Sequence, residues 1–160
     1  MPERSLEDLK REYEEVQKRY NFPNFADINR DFSIEKIYES ETELLIKEIM
    51  KIMEEKFSGY LRFIESILNP VNSPMSIFSL IKSLGQSEKK ILSEIYEKLV
   101  KQEINALEVD IHFSEEKGAR FINDSYELWQ GIKKDLLEIV SILKKNLDNK
   151  SDSNKAGYFG

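Results

Sequence analysis

The second half of the chain carries the feature that most restricts its fold, an apolar stripe with an unbroken helical period. Its members are Ile122, Tyr126, Trp129, Ile132, Leu136, Val140, Leu143 and Leu147. They recur every three or four residues, which places them on one face of an α-helix. Stripes of the same kind begin at Leu6, Leu45 and Ile91, and no two alternating segments are present that could pair as strands. The sequence therefore predicts an all-α fold.

One segment departs from this pattern, because apolar and polar residues alternate from Leu107 to Phe113. A lone strand would leave its backbone groups unpaired, and no second alternating segment exists to pair with it. On a helix the same residues form two stripes, one through Ala106 and Val109 and the other through Leu107 and Ile111. Two apolar stripes on one helix predict two neighbouring helices inside a bundle.

The helices are expected to begin and end at recognisable signals. We expect a long helix of about 35 residues from the Ser33 cap to Asn69, preceded by a connector that folds back as an ordered loop or short turn. A single helix from Ser87 to Asp148 would be ~93 Å long. We therefore expect a break between His112 and Gly118, with a new helix capped near that point.

These elements define the expected architecture. Residues 1–148 should form a single domain, an antiparallel bundle of about five helices in which three are long and pack in the manner of a coiled coil. Trp129 lies in the middle of its stripe and should anchor the core. Residues 149–160 are polar and small, which predicts a short disordered C-terminal tail.

Composition excludes several classes of protein. The chain has 160 residues with no cysteine, so disulfides, a thiolate nucleophile and a cysteine-bound zinc are impossible. The net charge of −6 disfavours a nucleic-acid binder, which would normally carry a basic surplus. The first residues have no apolar core, and no apolar run is long enough to cross a bilayer. We expect a cytoplasmic protein with no signal peptide and no membrane insertion.

Residues that could carry chemistry are few. His112 is the only histidine, and Glu108 and Glu116 are one helical turn to either side, which makes these three the only candidate metal ligands. The alternative interpretation is a solvated histidine beside a carboxylate. The chain contains no phosphate-binding loop, dinucleotide fingerprint or nucleophile elbow. We expect no catalytic residues and no cofactor.

Two features point to a partner. Leu128, Ile139 and Ile142 widen the apolar arc of the last helix, which fits a central helix with two neighbours or a face left open for another chain. Tyr158 and Phe159 form an aromatic pair in the polar tail, either idle or part of a short linear motif.

The sequence therefore predicts a non-enzymatic helical interaction or adaptor protein, with a protein partner or self-association. The alternative is a nucleic-acid-associated accessory protein using a local Lys/Arg patch, and the third possibility is an enzyme or metal-binding helical bundle. An exposed apolar groove would favour the first, clustered Lys and Arg the second, and a buried carboxylate cluster the third.

Overall fold

The computed structural model describes residues 4–39, 44–71 and 75–158, and within these ranges the regular secondary structure is helical, with no strand. The expected fold class is confirmed. In chain order the elements are α1 (Leu6–Tyr20), α2 (Phe25–Phe32), a 3₁₀ helix (Ile34–Glu39), α3 (Leu45–Leu68), α4 (Met75–Lys82), α5 (Gln86–Ile111) and α6 (Glu115–Tyr158). No helix in the described ranges is long and apolar enough to cross a membrane.

The chain divides into two compact units. Unit 1 consists of residues 1–59 and 99–128, and unit 2 consists of residues 60–98 and 129–160. Helices α3, α5 and α6 each contribute residues to both units. The expectation of a single domain over residues 1–148 stays a prediction.

The first helix begins as its sequence predicts. The Ser5 side chain accepts a hydrogen bond from the Asp8 backbone N–H, and the Asp8 carboxylate accepts one from the Ser5 backbone in return. This reciprocal capping box satisfies two N–H groups that a helix start leaves without partners. Further along α1, Tyr13 is fully buried and donates its hydroxyl hydrogen to the Pro23 carbonyl over 2.6 Å.

The connector after α1 differs from its prediction, because it folds as the helix α2 rather than as a loop or turn. The Asn24 side chain caps it by accepting from the Asp27 N–H at 2.8 Å. Ile28 and Phe32 are buried in unit 1, so the segment does cover the core. Ser33, expected to start the next helix, instead ends α2 in the left-handed conformation.

Two further helices differ in length from their predictions. The expected helix of about 35 residues is a 3₁₀ helix followed by α3, with residues 40–43 between them outside the described part of the chain. At the other end, α6 continues through Tyr158, past Asp148 where the sequence analysis ended it. Residues 149–158 contain no proline, so no backbone N–H is lost that would stop the helix there.

The break predicted between His112 and Gly118 is confirmed. Helix α5 ends at Ile111, and α6 begins at Glu115. The Ser114 hydroxyl accepts a hydrogen bond from the Lys117 backbone N–H over 3.2 Å, which caps the start of α6.

The core of unit 1 is mostly apolar but contains one polar network. Gln102 of α5 donates through Nε2 to Ser125 Oγ of α6 over 2.7 Å, and its Oε1 accepts from Asn105 over 3.1 Å. Gln102 and Ser125 are both buried. Because a buried polar group is costly without a partner, this network favours one alignment of α5 against α6.

The core of unit 2 is built around Trp129. Its side chain is buried, and the centre of its ring lies 5.1 Å from that of Tyr60. The expectation that Trp129 belongs to the core is confirmed. The other buried apolar residues of this unit are Leu61, Ile64, Ile67, Ile81, Leu84, Leu92, Ile95, Ile132, Leu136 and Ile139.

Candidate interaction surface

The second apolar stripe of α5 lies on the surface of unit 1. Ile104, Leu107 and Ile111 have exposed fractions of 60%, 59% and 80%. They are three and four residues apart, so they form one continuous row, which we call the α5 stripe. A row of exposed aliphatic side chains on one helix face is the kind of surface that another protein covers. Because all three side chains are exposed, the expectation that a neighbouring helix of the bundle would cover this stripe is wrong.

A groove runs beside the α5 stripe, between α3 and α5. The Ser58 hydroxyl donates a hydrogen bond of 3.3 Å to a carboxylate oxygen of Glu103, and this bond joins the two helices. The groove has a volume of about 340 Å³. Ile104 and Leu107 line it on the α5 side, and the buried rings of Phe57 and Phe121 also contribute to its lining. Its interior is therefore largely apolar.

Three carboxylates also line this groove, and we call them the acidic rim: Glu54 of α3 with Glu103 and Asp110 of α5. Burial raises the pKa of Glu54, and the negative charges of Asp110, Glu103 and Glu55 raise it further. The groove therefore combines apolar side chains with three carboxylates that lie close together.

The two units differ in charge. Unit 1 contains 22 acidic and 13 basic residues, a net charge of −9, whereas unit 2 contains 8 acidic and 11 basic residues, a net charge of +3. The two values account for the total of −6. The groove thus belongs to the unit that carries the negative charge of the protein.

A second groove in unit 1, between α5 and α6, has a different character. Its volume is about 280 Å³, and Glu108, Lys117, Arg120 and Asp124 are among its lining residues. Acidic and basic side chains are mixed here, so the groove does not carry a single sign of charge.

The candidate metal ligands do not form a cluster. Glu108, His112 and Glu116 are all exposed, and the break after Ile111 puts Glu116 on a different helix from Glu108. In residues 4–39, 44–71 and 75–158, no group of three or more His, Cys, Asp or Glu side chains is arranged to hold a metal ion. The His112 backbone N–H donates to the Glu108 carbonyl as part of the last turn of α5.

The candidate partner residues of α6 are in different environments. Ile139 is buried in the core of unit 2, with an exposed fraction of 1%, while Leu128 and Ile142 are half-buried. Tyr158 is the last residue of α6, and Phe159 lies outside the described residues. The exposed large apolar residues of α6 are others, among them Leu137 and Leu147.

The sequence predicts the apolar residues of the candidate surface but places them against a neighbouring helix of the bundle. The helical period places Leu107 and Ile111 on a second apolar face, and this part of the interpretation is confirmed. Periodicity identifies an apolar face without showing whether the same chain covers it. No local pattern in the sequence predicts the acidic rim, because Glu54 approaches Asp110 only through the packing of α3 against α5.

No protein family, curated protein or solved structure matches the chain. The fold and the surface together define the class of molecule: an all-helical protein with an exposed aliphatic stripe beside an acidic groove.

Proposed function

We propose that this chain is a non-enzymatic helical interaction protein that binds another protein through the α5 stripe. The observation that carries the proposal is the row Ile104, Leu107 and Ile111, with exposed fractions between 59% and 80%, next to a groove with an apolar interior. Burying such a row favours association by a free energy of about 25 cal/mol for each Å² of apolar surface removed from water, before the costs of association are subtracted. The best-matched partner is a helix laid into the groove.

Two expectations from the sequence belong to the same proposal. The partner helix would pack on the α5 stripe in the manner of a coiled coil, because the stripe has the spacing of alternate three and four residues that such packing uses. The encounter would take place in the cytoplasm.

The distribution of charge does not favour the nucleic-acid alternative. Its requirement is a concentrated basic surface. Unit 2 has only three more basic than acidic residues, and unit 1 has nine more acidic than basic ones. Phosphate groups would be repelled by the larger of these charges.

The proposal is tested by affinity capture from host extract with three forms of the protein. These are the wild type, Leu107→Ser in the α5 stripe, and Leu137→Ser as the matched control, since Leu137 is an exposed leucine of unit 2 at 68%. Circular dichroism first verifies that all three are folded. We expect a protein that is captured by the wild type and by Leu137→Ser and lost with Leu107→Ser. Equal capture by all three forms would contradict the assignment of the stripe as the interface.

A further inference from the structure

The charges around the α5 stripe restrict the kind of partner that can occupy it. Glu103 and Asp110 are seven residues apart and lie along the edge of the stripe that faces the groove, with Glu54 close to both. Lys101 and Glu108 occupy the opposite edge. A helix lying on the stripe would therefore place one of its own flanks directly against three carboxylates.

We infer that the occupant of the groove is a basic amphipathic helix, whose aliphatic face covers the α5 stripe and whose Lys or Arg side chains meet the acidic rim. This inference rests on the proposed function and adds the chemistry of the partner. Opposite charges that flank an apolar seam select the partner and its orientation. The net charge of −9 on unit 1 acts in the same direction at longer range, because it steers cationic ligands toward this unit.

The same charges disfavour a second copy of the chain as the occupant. In an antiparallel pair of α5 helices, equivalent edges meet, so the edge with Glu103 and Asp110 would face itself. In a parallel pair, Glu103 would meet Glu108 of the other copy. Both arrangements bring acidic side chains together at an interface whose apolar centre is only three residues on each side.

The state of Glu54 agrees with a cationic occupant. Its pKa is raised by burial and by the surrounding carboxylates, so the ionised form of its side chain is disfavoured at this position. A Lys or Arg from the partner would place a positive charge beside these carboxylates and favour the ionised form of Glu54. The same position would be unfavourable for a partner that carries acidic residues.

The inference is tested with two synthetic helices of three heptads, identical in their Leu face. One carries Lys and the other Glu at the positions that flank this face. Binding of each labelled peptide is measured by fluorescence anisotropy at low and at physiological salt. We expect the Lys peptide to bind the wild type at least about tenfold more tightly than the Glu peptide, with a preference that declines as salt is added. Leu107→Ser should abolish this binding, and Leu137→Ser should retain it.

A charge-reversal pair provides the decisive comparison. The double variant Glu103→Lys, Asp110→Lys should prefer the Glu peptide. The control Glu14→Lys, Glu15→Lys makes the same change of net charge on exposed residues of α1 and should keep the preference of the wild type. If both double variants lost the preference for the Lys peptide to the same extent, the inference would be overturned. That result would show that the peptide is attracted to the net charge of unit 1 rather than to the carboxylates of the groove.

Two other outcomes separate this inference from the proposed function. Equal binding of both peptides, abolished by Leu107→Ser, would overturn the basic partner and leave the stripe as an interaction surface. A dimer in sedimentation equilibrium that Leu107→Ser disperses would overturn it in favour of a second copy. If neither peptide binds, the basic partner is overturned, and the capture experiment alone decides the proposed function.

Discussion

Gly118 of α6 lies directly against Ile46 of α3. A Cβ atom built on Gly118 would stand 2.6 Å from Ile46 Cγ2, closer than two carbon atoms approach, and 3.1 Å from Met50 Sδ. Gly118→Ala should therefore force α6 away from α3 and lower the free energy of unfolding by about 1–3 kcal/mol, the usual cost of overpacking a core. Urea denaturation of the two proteins measures the difference.

Gly59 provides the matched control in the same unit. It lies within α3, and a Cβ at that position would meet nothing within 4 Å. Gly59→Ala should raise the free energy of unfolding by about 0.4–1 kcal/mol, because alanine loses less backbone entropy in a helix. If Gly118→Ala were stabilising to the same extent, the close approach of α6 to α3 would be refuted.

The hydrogen bond from Gln102 to Ser125 predicts coupled effects of two substitutions. Gln102→Ala would leave the buried Ser125 hydroxyl without this donor, and an unsatisfied buried group costs about 1–3 kcal/mol. Ser125→Ala should cost less, because Gln102 Nε2 also approaches the Phe121 carbonyl at 3.5 Å. A double-mutant cycle should give a coupling energy above about 0.5 kcal/mol. Strictly additive effects would mean that the two side chains do not interact.

Trp129 should be among the residues on which the stability of unit 2 depends most. It is 7% exposed, and its ring is tilted by 41° against that of Tyr60. Trp129→Ala should reduce the free energy of unfolding by about 3–5 kcal/mol, whereas Trp129→Phe keeps part of the ring and should cost less. Chemical denaturation followed by circular dichroism distinguishes the two. A Trp129→Ala protein as stable as the wild type would place this side chain outside the core.

Glu54 should make the stability depend on pH in a defined direction. Its pKa is raised above the ordinary value of 4.5 in the folded protein, so between these two values the folded state binds more protons than the unfolded state. The contribution of Glu54 to stability therefore decreases as pH rises through its folded pKa. Glu54→Gln should increase the free energy of unfolding at pH 7, and the increase should vanish as pH falls below 4.5.

The exposed Glu14 supplies the control for this titration. Glu14→Gln should leave the free energy of unfolding at pH 7 close to that of the wild type, because its side chain is exposed on α1. If Glu54→Gln still increased the free energy of unfolding at low pH, its effect would come from packing rather than from removal of a charge.

Much of the fold could be predicted from the sequence because it depends on local signals. The Ser5 cap, the break before Gly118 and the burial of Trp129 follow from side-chain chemistry and from helical period, and the structure confirms all three. Helix α2 was missed because Pro23 suggested a loop. A proline there is compatible with a helix that begins two residues later, and the Asn24 cap starts one.

The candidate surface could be predicted only in part, since it depends on which helices pack together. The period of α5 identifies Leu107 as part of an apolar face, but whether that face is covered depends on the positions of the other helices. The contact of Gly118 with Ile46 and the approach of Glu54 to Asp110 are likewise tertiary. Residues 56 to 72 positions apart in the chain create them, and no local pattern encodes them.

The most direct test of the α5 stripe as an interface is site-specific photo-crosslinking in the host cell. A photoreactive amino acid replaces Leu107 in one variant and Leu137 in the other, and the adducts are identified by mass spectrometry. The proposed function predicts a protein adduct at position 107, formed with a helical segment of the partner, and none of the same identity at position 137. The absence of any adduct at position 107, or the same adducts at both positions, would contradict it.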